Sequence, residues 1–236
     1  MMKQLLVALD VDTAADARAR ADELRGMAGG FKIGSRLFTS EGPAFVEELA
    51  SRGDRVFLDL KFHDIPNTVA GAIAAATRLG VWMVNVHASG GSAMMRAARA
   101  SADEEAARLS RPAPLLIAVT LLTSLDQEAL KDIGLRSISD QVARLAALTE
   151  ATGLDGVVAS PQEIALIRRR CGPRFTNVTP GNRGAGEVKG DQSRTLSAAD
   201  ALAAGASYLV VGRPIIAAAD PRAAAERIAA ECAGRS

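Results

Sequence analysis

Short apolar segments alternate along the chain with longer stretches rich in alanine and arginine. Each apolar segment is four to six residues long, and the stretch that follows has apolar positions at helical spacing. The pattern predicts eight strands, at residues 5–9, 31–34, 56–61, 83–88, 115–120, 156–160, 175–180 and 208–212. It predicts eight helices, at residues 13–26, 37–51, 66–79, 91–109, 139–152, 161–170, 197–204 and 220–233.

Strict alternation of strand and helix predicts a parallel sheet. Eight such units in 236 residues are typical of an α/β fold of the (β/α)8 TIM-barrel type, with one domain over residues 1–236. An open, doubly wound sheet is the alternative, although it would more often have fewer strands and a glycine-rich first turn. The first predicted strand runs into Leu9-Asp10-Val11-Asp12, which has no glycine.

Composition removes several classes of function. A net charge of +1 and an aromatic content of 3% argue against a nucleic-acid partner. The apolar run near the start of the chain covers only residues 5–9, too short for a signal peptide or a membrane span. Cys171 and Cys232 lack a CxxC pattern, so we expect no disulfide framework and no metal site. These features predict a cytoplasmic protein with no membrane partner.

Charged residues interrupt the apolar pattern of the first three predicted strands. Because side chains alternate along a strand, Lys32, Asp59 and Lys61 are expected to point into the barrel, with Asp10 at the end of the first strand. Barrel active sites lie at these carboxyl ends. Desolvated charges are unfavourable unless paired, so the alternating signs favour a functional site over a structural ion-pair network. Asp64, just after the third strand, could serve chemistry, cap the next helix, or do both.

A second signal stands at the ends of the last two predicted strands, in TPGNR (179–183) and VVGRPI (210–215). The loops after strands 7 and 8 are the usual phosphate site of this fold. Gly212 permits close backbone approach, and Arg213 offers a charged fork to an anion. The alternative is an ordinary turn with a surface arginine. The segment 181–194 is long, charged and rich in glycine, which predicts a mobile loop that is either functional or disordered.

Several segments carry a more specific signal: ALD (8–10), FKIG (31–34), FLDLKFHDIPNT (57–68), NVHASGG (85–91), AVTLLTS (118–124), VTPGNR (178–183), DQ (191–192) and VVGRPI (210–215). Together they resemble the bacterial orotidine 5′-phosphate decarboxylase family nearly from end to end. The D-x-K-x-x-D element formed by Asp59, Lys61 and Asp64 is specific to a small suprafamily. One departure is Asn182, where that family usually has an apolar residue, and it bears only on the packing of the 181–194 loop.

The resemblance implies conversion of orotidine 5′-phosphate (OMP) to UMP in pyrimidine biosynthesis, without metal or other cofactor, by a homodimer. It implies that Lys61 donates a proton to the carbon that loses CO2, while Asp59 lies against the substrate carboxylate. Lys32 and Asp64 would complete an alternating Lys-Asp-Lys-Asp array, with Asp64 contributed across the dimer interface.

The resemblance also implies how the rest of the substrate is held. Asp10 and Lys32 would contact ribose hydroxyls, Thr68 would line that region across the dimer interface, and Thr123 would meet the pyrimidine edge. The phosphate would be held by residues at the opposite side of the barrel, with the 181–194 loop closing as a lid: Arg183, Gln192, Gly212 and Arg213.

Loss of CO2 leaves an in-plane carbanion that the ring cannot delocalise, so stabilisation must be electrostatic. Attraction by the Lys61 ammonium therefore ranks above repulsion by Asp59, a contested mechanism. Two alternatives stay open. A metal-dependent sugar-phosphate lyase of the same suprafamily would carry a metal-binding glutamate where this chain has Lys32. A non-catalytic phosphate-ligand binding barrel would not need the retained charged array. We expect His63 to serve packing or hydrogen bonding.

Overall fold

The computed structural model describes residues 2–135, 137–181 and 196–233, and within them eight parallel strands close into a barrel. Each strand pairs with the next, and β8 pairs back with β1. The strands are β1 (Met2–Ala8), β2 (Ala28–Gly34), β3 (Val56–Phe62), β4 (Met83–His87), β5 (Leu115–Val119), β6 (Gly156–Val158), β7 (Thr176–Pro180) and β8 (Tyr208–Val211). The predicted (β/α)8 fold is confirmed. The extent of one domain over residues 1–236 stays a prediction, because parts of the chain lie outside the described residues.

Helices connect the strands on the outside of the barrel. They are α1 (Ala14–Leu24), α2 (Ser35–Glu41), α3 (Pro43–Ser51), α4 (Pro66–Arg78), α5 (Gly91–Arg108), α6 (Gln127–Asp132), α7 (Ile138–Ala151), α8 (Ile164–Cys171), α9 (Ala198–Ala203), α10 (Arg213–Ile216) and α11 (Pro221–Ala233). Single 3-10 turns at Ala88–Gly90 and Pro161–Glu163 precede α5 and α8. Among the described residues, none of these helices combines the length and the apolar character needed to cross a membrane.

The structure departs from the predicted helices in two ways. The single helix predicted at 37–51 is two helices, because Gly42 has φ 71° and Pro43 starts α3. Glycine tolerates this left-handed backbone, and proline suits the first helical position. The short helices α6 and α10 follow β5 and β8 and were not predicted.

Alternation along each strand separates two layers of core. The outer layer lies between sheet and helices and includes Leu5, Val7 and Leu58. The inner layer fills the barrel and consists of Leu6, Ala8, Phe57, Met83, Ile117, Val119, Val158, Val178 and Val210. The two layers fix which face of every strand points inward.

Aromatic rings pack at the amino-terminal end of the barrel. Trp82 and Tyr208 meet edge to face with 5.1 Å between ring centroids, and both contact the inner layer. The guanidinium of Arg55 lies 5.2 Å from the centroid of the Trp82 ring, a cation–π distance. Apolar and aromatic groups thus occupy this end, and the inward-facing charges lie at the opposite, carboxyl end.

Candidate active site

The inner cluster of charges, formed by Asp10, Lys32, Asp59 and Lys61, lies at the carboxyl ends of β1, β2 and β3. Lys32 Nζ is 3.0 Å from Asp10 Oδ1 and 3.5 Å from Asp59 Oδ2. Lys61 Nζ is 2.7 Å from Asp59 Oδ1. Only 10% of the Lys32 side chain and 14% of the Asp59 side chain are exposed. The structure therefore brings together the four inward charges that the sequence predicted.

Strand register explains why these side chains converge. Phe57 belongs to the inner layer and Leu58 to the outer layer, so Asp59 points inward. Lys32 likewise lies between Phe31 and Ile33, which both pack outward. Gly34 follows on the inward face of β2.

Gly34 leaves the space that the Lys32 ammonium fills. A Cβ at position 34 would lie 2.9 Å from Lys32 Nζ and 3.4 Å from Asp10 Oδ1. Carbon and nitrogen atoms that are not bonded to each other do not pack this closely, so any larger residue would displace the ammonium. The glycine of FKIG thus leaves room for the flexible Lys32 side chain to place its ammonium between Asp10 and Asp59.

The Asp59 carboxylate carries opposed electrostatic effects. Burial disfavours its ionised form, but the charges of Lys32 and Lys61 and hydrogen bonds from Lys61 and Asn85 outweigh burial. The net effect lowers the pKa of Asp59 below its usual value. Asp59 is therefore a carboxylate at neutral pH despite its burial.

Lys61 has an unusual backbone conformation, with φ 52°. Left-handed backbone is uncommon for a residue other than glycine. The pairing of β3 with β4 shifts register between Leu58 and Phe62, so the irregularity is local to the strand end. This conformation accompanies the return of the Lys61 ammonium onto Asp59, two residues earlier.

Asn85 is a member of the site that sequence reasoning missed. It lies on β4 with no exposed surface. Its Nδ2 donates to Asp59 Oδ1 at 2.7 Å, and its Oδ1 accepts from the Lys61 backbone N–H at 2.8 Å. A polar residue between Val84 and Val86, both packed outward, was the available signal.

Within the described residues, Asp64 and Thr68 make no hydrogen bond or ion pair with the inner cluster, and both are exposed. Asp64 Oδ1 accepts from the adjacent Ile65 N–H at 2.6 Å. The N-cap of α4 is Ile65, and it makes no side-chain capping bond. The alternative interpretation of Asp64 as the helix N-cap is therefore wrong. Ile65 is 67% exposed, so apolar surface adjoins these two polar side chains.

The end of β8 lies beside the inner cluster. A Cβ at Gly212 would lie 3.4 Å from Ala8 Cβ and 3.5 Å from Asp10 Oδ2. Arg213 follows as an exposed residue at the start of α10. The barrel closure between β8 and β1 thus brings Gly212 next to Asp10.

The other predicted substrate contacts are less well defined. Thr123 is half-buried in the connection between β5 and α6. Arg183, Gln192 and Asn182, the residue that departs from the family pattern, lie outside the described residues. The roles of Thr123, Arg183 and Gln192 in substrate binding stay predictions.

Two histidines pack beside the cluster. The rings of His63 and His87 have centroids 5.4 Å apart. Burial, followed by the neighbouring His63 and Lys61, lowers the pKa of His87. A packing role for His63 therefore agrees with its ring contact. Within the described ranges, no three His, Cys, Asp or Glu side chains form a group suited to a metal ion.

The fold and the site together define a (β/α)8-barrel enzyme, because the polar groups are gathered at the carboxyl ends of the strands, where the active sites of such barrels lie. Residues 3–228 match the orotidine 5′-phosphate decarboxylase / HUMPS family. The chain belongs to this family.

Individual relatives agree with that assignment. An orotidine 5′-phosphate decarboxylase of Moorella thermoacetica is 59% identical over 230 residues, 97% of this chain and 91% of that protein. One of Alkalilimnicola ehrlichii is 53% identical over 233 residues, covering 98% and 97%. A crystal structure of orotidine 5′-phosphate decarboxylase from Lactobacillus acidophilus superposes with a TM-score of 0.84 at 35% identity, covering 97% of this chain and 98% of that one.

Proposed function

We propose that this chain converts OMP to UMP and CO2 in pyrimidine biosynthesis, with the inner cluster as the reacting part of its site. The observation that carries the proposal is the pairing of Lys61 Nζ with Asp59 Oδ1 at 2.7 Å inside the barrel. Such pairing places a proton donor, whose side chain is 36% exposed and open to a substrate, against a carboxylate whose side chain is only 14% exposed. Family membership and full-length relatives of that name support the same reaction.

The proposed chemistry needs one bond to break and one proton to move. The bond from the pyrimidine ring to the carboxylate breaks, CO2 leaves, and the electron pair stays on the ring carbon. The Lys61 ammonium attracts that developing charge and then donates a proton to the carbon. The neutral amine regains its proton from solvent. Charge held ready by the folded protein stabilises the carbanion without reorganisation during the reaction.

Asp59 would lie against the substrate carboxylate. At an effective dielectric near 20, two like charges about 4 Å apart repel by roughly 4 kcal/mol. Lys32 and Lys61 both face Asp59, so they offset much of this repulsion in the ground state. Stabilisation of the carbanion by Lys61 is therefore the larger effect.

The remote parts of the substrate would supply binding energy. Asp10 and Lys32 would bind the ribose hydroxyls. The Asp10 carboxylate and the Lys32 ammonium lie 3.0 Å apart at the edge of the cluster and offer hydroxyl groups an acceptor and a donor. Gly212 and Arg213 suit the phosphate, together with Arg183 and Gln192 of the predicted lid. Thr123 would meet the pyrimidine edge. Energy from these contacts can be used to orient the reacting carbon and exclude water.

We further propose a homodimer in which Asp64 and Thr68 complete the neighbouring site. The exposure of both residues, and of Ile65 between them, supports this arrangement. Mixing the inactive variants Lys61→Ala and Asp64→Ala tests it, because a shared site restores activity in the heterodimer. Mixtures that stay inactive under subunit exchange would contradict a shared site.

The reaction itself is tested by following OMP absorbance with the purified chain in excess EDTA. We expect turnover that EDTA does not reduce and that needs no added cofactor, as for a cytoplasmic enzyme acting on a soluble nucleotide. Loss of turnover in EDTA would favour the metal-dependent sugar-phosphate lyase. OMP binding without turnover would favour the non-catalytic barrel.

A further inference from the structure

Asn85 joins the two reacting groups of the site through one buried amide. Its Nδ2 donates to the same Asp59 oxygen that receives the Lys61 ammonium. Its Oδ1 accepts the Lys61 backbone N–H at 2.8 Å. The amide therefore contacts both the carboxylate and the main chain that carries the proton donor.

The contact between Asn85 and the Lys61 backbone matters because Lys61 has a left-handed backbone conformation, with φ 52°. A side-chain-bearing residue holds such a conformation only where its surroundings favour it. The register shift near the end of β3 makes an ordinary ladder partner unavailable to this part of the strand. The Asn85 oxygen provides the acceptor that a neighbouring strand would otherwise supply.

We propose that Asn85 is a positioning residue that fixes Asp59 and the Lys61 main chain in the reactive geometry. The inference rests on the proposed function, because the reactive geometry is the one described for loss of CO2. An amide suits this role since it offers a donor and an acceptor on one rigid plane. Aspartate would keep the acceptor and lose the donor, and alanine would lose both.

Asn177 provides a matched control. It lies on β7 and is 1% exposed, so it is as buried as Asn85. Within the described residues, neither polar atom of its side chain has a hydrogen-bond partner. Its neighbour Val178 belongs to the inner layer, so Asn177 points away from the barrel interior. Replacing it reports the general cost of losing a buried asparagine.

The experiment compares Asn85→Ala, Asn85→Asp and Asn177→Ala with the wild-type chain. A small displacement of reacting groups can cost about 100-fold in rate, so we expect Asn85→Ala to lower kcat by about that factor. KM for OMP and affinity for UMP should change by less than about threefold, because the phosphate contacts are untouched. Asn177→Ala should leave kcat within about twofold.

Asn85→Asp separates the contact to Asp59 from the contact to the Lys61 backbone, because aspartate keeps the acceptor and loses the donor. It also places a second carboxylate beside Asp59. Two carboxylates in contact share a proton, so the kcat of this variant should rise with pH across a range where wild-type kcat is flat. Carbon-13 titration of the Asp59 carboxyl, assigned with Asp59→Asn, gives a readout without turnover. Its midpoint should move to higher pH in both Asn85 variants.

The inference is overturned if folded Asn85→Ala keeps kcat within threefold of wild type, or if Asn177→Ala loses as much. An unchanged Asp59 titration in Asn85→Asp overturns it as well, even where Asn85→Ala does not fold. Failure of the proposed function is a separate result, since it is wild-type protein that does not turn over OMP. Even if the wild-type protein does not turn over OMP, the Asp59 titration still tests whether Asn85 positions the Asp59 carboxylate.

Discussion

Two ionic clusters in this protein use the same alternation of charge in different places. The inner cluster lies inside the barrel mouth. The outer cluster, formed by Asp22, Arg25, Arg52 and Asp54, joins the ends of α1 and α3. Arg25 donates from Nε and Nη2 to both Asp54 oxygens at 3.0 and 2.7 Å. It also donates to Asp22 at 2.7 Å, and Arg52 pairs with Asp22.

The clusters differ in how deeply their ion pairs are buried and therefore in what their charges cost. In the inner cluster, the side chains of the Lys32–Asp59 pair are only 10% and 14% exposed. In the outer cluster, each pair has at least one side chain that is 33% or more exposed. Exposed ion pairs keep much of their hydration and contribute little to stability. Desolvated pairs often do no better than apolar residues of the same size. We therefore attribute the inner cluster to the proposed chemistry and the outer cluster to the attachment of two helices.

Of the variants that distinguish the two clusters, replacement of Lys61 should have the largest effect on turnover. Lys61→Met should lower kcat by at least about 10⁴-fold, because it removes both the stabilising charge and the proton donor. The measurement is OMP turnover, with folding checked by circular dichroism. Lys3→Met, at an exposed position of β1, is the control and should retain full activity. Residual kcat above about one per cent of wild type would remove Lys61 from the donor role.

Arg213→Ala tests whether the inner cluster is half of a larger site. Loss of a charge-assisted contact to phosphate should raise KM by about 10- to 100-fold, with a smaller change in unfolding free energy. Steady-state kinetics and urea unfolding measure the two effects. Arg174→Ala, an exposed arginine before β7, should change neither. Wild-type KM and kcat in Arg213→Ala would show that the phosphate lies elsewhere.

Gly34→Ala should disturb the inner cluster without adding or removing a charge. The new Cβ displaces the flexible Lys32 ammonium, so we expect kcat/KM to fall by about tenfold. A double-mutant cycle gives the control, because Gly34→Ala should have little further effect in a Lys32→Ala background. Additive losses in the cycle would mean that Gly34 acts through something other than Lys32.

The smallest effect is expected at the outer cluster. Arg25→Met should reduce the unfolding free energy by only about 1 kcal/mol, because the Arg25 side chain is 38% exposed and solvent screens its charge. Raising the salt concentration should shrink the difference further. OMP turnover should stay within about twofold of wild type. A large loss of turnover would erase the distinction between the two clusters.

The fold could be predicted from sequence because the alternation of apolar strands and helices is strong and local. The observed bounds of β3 differ from the prediction by one residue at Phe62. β1 starts at Met2, three residues before the predicted start, and this part of the strand was missed because Lys3 and Gln4 are exposed and polar. The break at Gly42 was missed since the helical period continues through it, and α6 and α10 are too short to show a period.

The site could be predicted only in part. Strand parity identified Asp10, Lys32, Asp59 and Lys61, because inward charges conflict with an apolar barrel. Strand parity also turns Asn85 inward, but its role was not identified, since its contacts depend on the left-handed backbone of Lys61 and on the register shift of β3. Both are properties of strand pairing, and no local pattern encodes them.

The stability of the double variant Asp59→Asn/Lys61→Met tests the central claim most directly. It replaces the shortest ion pair of the inner cluster with neutral groups of similar size, and leaves Lys32 paired with Asp10. Urea unfolding should give a free energy equal to that of wild type or higher by up to about 4 kcal/mol, while OMP turnover disappears. A loss of more than about 2 kcal/mol, or surviving turnover, would contradict a cluster that is retained for catalysis at no benefit to folding.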